Sequence, residues 1–227
     1  INAAGPFAPA IASLLAVELP VYSVLQQKIA VQDLLGVIPR DAPFTIFMGA
    51  QYLDWSDEER EILRSDAGSR KLLRQFPGGL HIKPEGGQDS TWIKLGWAIN
   101  RVREQPRWEP QGTAEFPELV LRGAAKLAPG LAQYHHRLPK PVVHYAGYYT
   151  KTEENLPLIG PMAVGGAYMV GALSGFGTMA SCAAGELVAA WAAGGELPDY
   201  ARPLSLARYN DPAIMAAIKE SRVDGEL

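Results

Sequence analysis

The chain has 227 residues, 48% of them hydrophobic, and a formal net charge of −3. That length and apolar content suffice for one large domain or parts of two, and the acidic balance offers no basic surface to nucleic acid or acidic membranes. A single cysteine, Cys182, rules out an intrachain disulfide, the four histidines show no zinc-ligand spacing, and no apolar run is long enough to span a bilayer.

Taken in order, Ile1-Asn2-Ala3-Ala4-Gly5-Pro6 reads as a strand end followed by a turn. Phe7, Ile11, Leu14 and Leu15 then fall on one face of a helix predicted to end near Pro20. A start on Ile1 in mid-pattern reads as a piece of a longer chain, without a signal peptide, so a cytoplasmic location is expected. Val21 to Gln32 mixes apolar and polar residues as a long sheet strand does, and Gln27 and Lys28 interrupt it as the wetted side of an edge strand would. Thr45 to Met48 is a short strand. Ser56 with Glu59 three residues on forms a capping box, which predicts a helix from Asp57 past Ile62 with its charges on a solvated face.

Gly79 to Lys83 and Thr91 to Trp97 pattern as paired strands across the PEGGQDS turn, with His81 and Lys83 on one face. A single histidine on a strand is more often structural than functional. Arg101 to Gly112 is a loop, and a helix runs from near Pro117 to Lys126. A further helical turn, Pro129 to Arg137, carries His135 and His136; adjacent helical residues point to different faces, so this pair is a surface feature and not a metal site. Val142 to Tyr149 returns as a strand.

The densest stretch is Gly147 to Trp191. Tyr168 to Leu173 suits a buried strand, Ser174-Gly175-Phe176-Gly177 a bend, and Thr178 to Ala193 a helix. A strand that runs through glycines into a helix leaves backbone N–H groups unpaired with the helix dipole behind them, a place for negative charge or a polar ring edge. Glycines there permit φ > 0 and close approach of a ligand. Beyond Gly194-Gly195 the tail reads as loop and the last residues as frayed. The sequence has no internal repeat and no P-loop, and Ser174 stands one place too late for a G-x-S-x-G elbow.

The segments GYYTKT, LPLIGP, GAYMVGALSGFG and GELVAAW, in that order, resemble the C-terminal signature of the D-amino-acid oxidase/sarcosine oxidase (DAO) superfamily of FAD-dependent oxidoreductases. INAAGP resembles its V-N-A-A-G strand end and ARPLSLARY its closing P-x-S-x-x-R-F/Y segment. The resemblance implies an α/β protein with an α+β substrate domain. Residues 1–19 and 145–227 would be the end of a Rossmann-like FAD-binding domain, and 20–144 a mixed, largely antiparallel substrate-binding sheet with flanking helices. It implies FAD as cofactor, against Ala3, Ala4 and Gly5 and against Ser174, Gly175, Phe176, Gly177 and Thr178, with Tyr149, His81 and Lys28 facing the substrate.

The reaction implied is oxidation of the C–N bond of a small amine or amino acid of the sarcosine or dimethylglycine type, by hydride transfer to flavin N5. Such a reaction needs no acid–base dyad. The chain also departs from its relatives. Tyr149 replaces a carboxylate-binding arginine, Gly147 a flavin-linking cysteine, and Met179 a lysine near the flavin. The last of these points to an electron-acceptor protein instead of oxygen. The G-x-G-x-x-G loop for the pyrophosphate is absent from these residues, so residues 1–227 alone are expected not to hold FAD tightly. The alternative is a non-catalytic flavin-fold subunit or assembly module. A role on a modified tRNA base fits the acidic balance poorly.

Overall fold

The computed structural model describes residues 1–221. Its elements, in chain order, are helix α1 (Ala8–Ser13), strands β1 (Tyr22–Gln32) and β2 (Thr45–Phe47), helix α2 (Asp57–Ser65), strands β3 (Leu80–Pro84) and β4 (Trp92–Trp97), helix α3 (Phe116–Leu127), strands β5 (Val143–Lys151), β6 (Leu158–Pro161) and β7 (Tyr168–Gly171), and helices α4 (Gly177–Ala193) and α5 (Pro212–Glu220). Among the described residues two compact units result: Ile1–Leu25 with Arg101–Trp108 and 148–221, and Gln26–Asn100 with Glu109–Gly147. The expected class is observed, a mixed α/β chain with an antiparallel sheet and flanking helices. Among the described residues no helix is long and apolar enough to cross a membrane.

The second unit is built on a sheet of order β2-β3-β4-β1-β5. β1 is therefore an interior strand, not an edge. Gln27 is buried, and its side chain accepts from Thr113 N at 2.7 Å and lies 3.0 Å from His144 Nε2. Strand alternation sends Ile29, Val31, Leu80, Ile82, Ile93, Leu95 and Trp97 to one core with Leu119, Val120 and Ala124 of α3. Lys28, His81, Lys83 and Lys94 fall on the opposite face.

The charges of α2 are not simply solvated. The capping box of Ser56 and Glu59 forms as read. The same Glu59 also receives Arg122 of α3, whose side chain is only 3% exposed, at 2.6 Å. Glu118 at 2.7 Å and the Asp54 carbonyl at 2.5 Å complete the shell, and the guanidinium lies 4.1 Å from the Trp55 ring centroid. His136 joins this network, 2.9 Å from Glu59 Oε1, so it is not a free surface residue.

In the first unit β6 and β7 pair antiparallel, and Asn2 bridges β7 in parallel at Met169. α4 covers this pair with Ala184, Leu187 and Val188 packed on Ile159. The predicted first helix stops at Ser13, because Ala16 turns left-handed (φ 55) and Val17 N caps the Ala12 carbonyl at 3.1 Å. β6 and α5 are elements the patterning does not reveal. The start of α5 was legible all the same: Asp211 caps Ala213 N and Ile214 N, with Pro212 in the first turn. The expected frayed end lies outside the described residues from 222 on.

Gly123 sits in the middle of α3, where alanine normally gains about 1 kcal/mol. Here an added Cβ would stand 2.5 Å from the Trp97 ring and 2.6 Å from Leu80 Cδ1. Gly123→Ala is expected to lower stability by about 1–3 kcal/mol through overpacking, read as a lower urea midpoint by fluorescence. A raised midpoint would show that propensity outweighs the close contact.

Candidate functional site

β7 ends at Gly171, and the chain enters α4 through a 3-10 turn, Ser174–Phe176. The left-handed residues of this bend are Ala172 (φ 54) and Ser174 (φ 52), not the glycines; Gly177 is ordinary right-handed backbone at φ −51. A non-glycine residue in that region costs about 1–2 kcal/mol, so this bend stores strain. No side chain caps the 3-10 turn at Leu173 or α4 at Phe176. The helix, 17 residues long, thus presents uncapped N–H groups and the positive end of its dipole. Ser174 Oγ is buried and has no hydrogen-bond partner.

Beside the bend lies a cavity of about 480 Å³. Ala3, Gly5, Ser174 and Gly177, four of the predicted cofactor residues, line it. Ala4, Gly175, Phe176 and Thr178 do not, and Phe176 and Thr178 are exposed. An added Cβ on Gly5 or Gly185 would meet no other group within 4 Å, so the room over both belongs to the cavity. Sequence reasoning overlooked Ser181 and Gly185, which also line it. The spacing Gly177, Ser181, Gly185 marks one helix face and was available to be read. On β5 the lining residues are Tyr148 and Thr150, so strand alternation directs Tyr149 to the other side. Val170, Leu173 and Val188 add apolar wall. Apolar walls, an open helix N-terminus and an unpartnered hydroxyl fit a flat cofactor that becomes anionic on reduction.

Lys28 and His81, the other predicted substrate residues, share one row of the second unit's sheet, both opposite Gly96. His81 is 2% exposed, with Nδ1 3.2 Å from the Gly79 carbonyl and the Phe44 ring centroid 5.2 Å away. Burial, then the charge of Lys28, lowers its pKa to about 4. Burial, then Lys94 and Lys83, lowers that of Lys28. Met179 is 66% exposed, and among the described residues no cluster of His, Cys, Asp and Glu is placed to hold a metal ion.

A helix N-terminus fed by a strand through a bend is a ready place for an anionic cofactor group. Residues 1–191 match the family model described as DAO, FAD dependent oxidoreductase, and the chain belongs to that family. Its fold is similar to glycine oxidase from Geobacillus kaustophilus, with a TM-score of 0.59 at 18% identity over 90% of this chain and 44% of that one. L-proline dehydrogenase from P. horikoshii gives 0.58 at 18% over 92% and 46%. Iminodiacetate oxidase from Chelativorans sp. BNC1 gives 0.59 at 19% over 89% and 44%. The chain thus spans less than half the length of these structures. No curated protein matches it.

Two outcomes follow from this geometry. Ser174→Gly removes the left-handed strain and is expected to raise stability by about 1 kcal/mol, whereas Ser174→Ala keeps the strain. Both variants lose the hydroxyl, and in the full-length protein both are expected to weaken FAD binding by roughly tenfold in a flavin-fluorescence titration. An unchanged Kd in both would show that the hydroxyl meets no cofactor.

His81 gives a pH dependence. Its folded pKa of about 4 lies below the ordinary 6.5, so between these values the unfolded chain binds the extra proton. The stability His81 contributes is full above pH 6.5 and is lost as pH falls towards 4, by up to about 1.4 kcal/mol per pH unit. Urea titrations of wild type and His81→Gln across that window are expected to differ in slope, with the variant flatter.

Proposed function

We propose that the protein oxidises the C–N bond of a small amine or amino acid, of the sarcosine or dimethylglycine type, with FAD. The observation that carries this reading is the uncapped α4 N-terminus with the unpartnered Ser174 hydroxyl on a cavity, in a chain of the DAO family. When bound, FAD supplies the electron-pair acceptor for the oxidation. The chain's own residues supply position and field. The α4 dipole stabilises negative charge held at its N-terminus, and Ala3 and Gly5 leave room for a ring.

In this reading residues 1–19 and 145–227 serve the cofactor and 20–144 the substrate, with Tyr149, His81 and Lys28 facing it. The fold neighbours are named for glycine, L-proline and iminodiacetate, small amino or imino acids, which supports the substrate class. Met179 brings no cation for reaction with oxygen, which favours an electron-acceptor protein. Reoxidation rates in air-saturated buffer and with an acceptor dye decide between the two.

The test is turnover with the dye across sarcosine, dimethylglycine, glycine, L-proline and iminodiacetate. At least one is expected to reduce the bound flavin, and Tyr149→Phe to lower kcat/KM for it about tenfold through one lost hydrogen bond. A full-length protein that binds no FAD, or whose flavin none of these amines reduces, would overturn the reading.

A further inference from the structure

Two cavities of the first unit share a wall. The cavity beside the bend has Pro6, Tyr148 and Thr150 in its lining. A second cavity, of about 680 Å³, is lined by Pro6 again and by Phe7, Tyr22, Ser23 and Arg103. Ser23 belongs to one cavity and Thr150 to the other; each is 6% exposed, and their hydroxyl oxygens stand 3.5 Å apart. The Tyr148 hydroxyl accepts from Arg107 N at 3.2 Å, which ties the loop of the second cavity to the lining of the first. At Pro6, and at the Ser23–Thr150 pair, a single layer of side chains separates the two spaces.

The second cavity suits a flat apolar molecule. Phe7 is held by Trp108, whose ring stacks on it with centroids 4.3 Å apart and planes 21° apart. The Arg103 guanidinium lies 3.7 Å from the Tyr22 ring centroid and donates to both Glu153 carboxylate oxygens, at 2.7 and 2.8 Å. Stacked neighbours thus fix both aromatic rings, so a ligand need not order them. The charge of Arg103 is matched, so among the described residues the lining offers no open cation to a carboxylate. Pro9, Val21 and Pro106 add apolar wall. A volume of about 680 Å³ is that of a site for a ring-bearing molecule, and an amine of a few carbons would not fill it.

We propose that this cavity binds the electron acceptor, a planar quinone, one layer of side chains away from the cofactor cavity. The inference rests on the functional reading above and names its acceptor. It keeps the case against oxygen made at Met179 and puts a small molecule where an acceptor protein is expected. An acceptor must lie close to the flavin, and the shared wall provides that closeness. Over one cycle the amine loses two electrons and two protons and leaves as the imine. The quinone gains two electrons and two protons, its two C=O groups become C–OH, and it leaves as the hydroquinone.

The test uses the full-length flavoprotein and 2,3-dimethoxy-5-methyl-1,4-benzoquinone. Quenching of tryptophan fluorescence reports quinone binding without turnover, and stopped-flow absorbance reports reoxidation of the photoreduced flavin. Phe7→Leu and Tyr22→Leu keep an apolar side chain and lose the flat face. In both, the quinone Kd is expected to rise at least about fivefold, and reoxidation at low quinone concentration to slow by the same factor. Ferricyanide, which needs no apolar cavity, is expected to reoxidise wild type and both variants at one rate. A quinone Kd unmoved in both variants, or quinone and ferricyanide rates that fall together, overturns the inference. Quinone binding that weakens in the variants, in a protein whose flavin no amine reduces, keeps this site and removes the amine-oxidation reading. Reduction of the flavin by an amine without saturable quenching by the quinone removes the site and keeps that reading.

Discussion

A guanidinium with no solvent contact holds the first unit together. Arg208 is fully buried, and its donors reach Glu154 at 2.5 Å, the carbonyls of Pro157 (2.6 Å), Pro203 (3.1 Å) and Leu156 (3.2 Å), and the Tyr209 hydroxyl at 3.1 Å. Taking that charge out of water costs several kcal/mol unless its donors are matched. The acceptors that match it lie in the turn between β5 and β6 and in the tail beyond α4, so one side chain fixes two distant segments to each other. Tyr209 completes the cluster by donating to Glu154 at 2.7 Å, and burial with that carboxylate pushes its pKa up to about 12. With the turn fixed, Ile159 of β6 donates to the Leu204 carbonyl at 2.7 Å, β7 pairs with β6, and the strained bend follows directly from β7. The geometry of the cavity is in this sense inherited from a buried ion pair.

Arg122 does in the second unit what Arg208 does in the first, tying α2 and the loop before it to α3 through Glu59, Glu118 and the Asp54 carbonyl. Every nitrogen of the Arg122 guanidinium is matched, whereas Arg208 keeps its Nε buried without a partner. In the second unit His81 Nε2 is likewise buried without a partner, and Lys28 in the same row feels the charge of Glu85 without a salt bridge to it. An unmatched buried nitrogen therefore occurs on a side chain that holds the fold as well as on His81, and does not by itself mark a ligand site.

Local chemistry made much of the fold legible. Strand alternation located β1, β3 and β4, the Ser56–Glu59 pair marked the start of α2, and the run of small and aliphatic residues marked α4. What escaped depends on partners far along the chain. Gln27 reads as the wet side of an edge because nothing nearby announces Thr113 and His144. Glu59 reads as surface because Arg122 stands 63 residues away. At the candidate site the glycines drew attention correctly to the bend, but the left-handed positions are Ala172 and Ser174, which no propensity would select. Tyr148 and Thr150 could be found only once the register of β5 was known, since a shift of one residue exchanges them for Tyr149.

That the strain falls on Ala172 and Ser174 has a physical meaning. Glycine at either position would adopt the same backbone at lower cost, so the side chains must return something that glycine cannot. Ala172 is 3% exposed, and its methyl also lines the cavity, contributing apolar wall. Ser174 returns nothing to the protein, because its hydroxyl is buried without a partner. A residue that is strained in its backbone and unsatisfied in its side chain loses free energy on both counts in the protein by itself. A hydrogen-bond partner for Oγ would offset only the second loss, whereas the left-handed backbone keeps its cost whatever lies beside it.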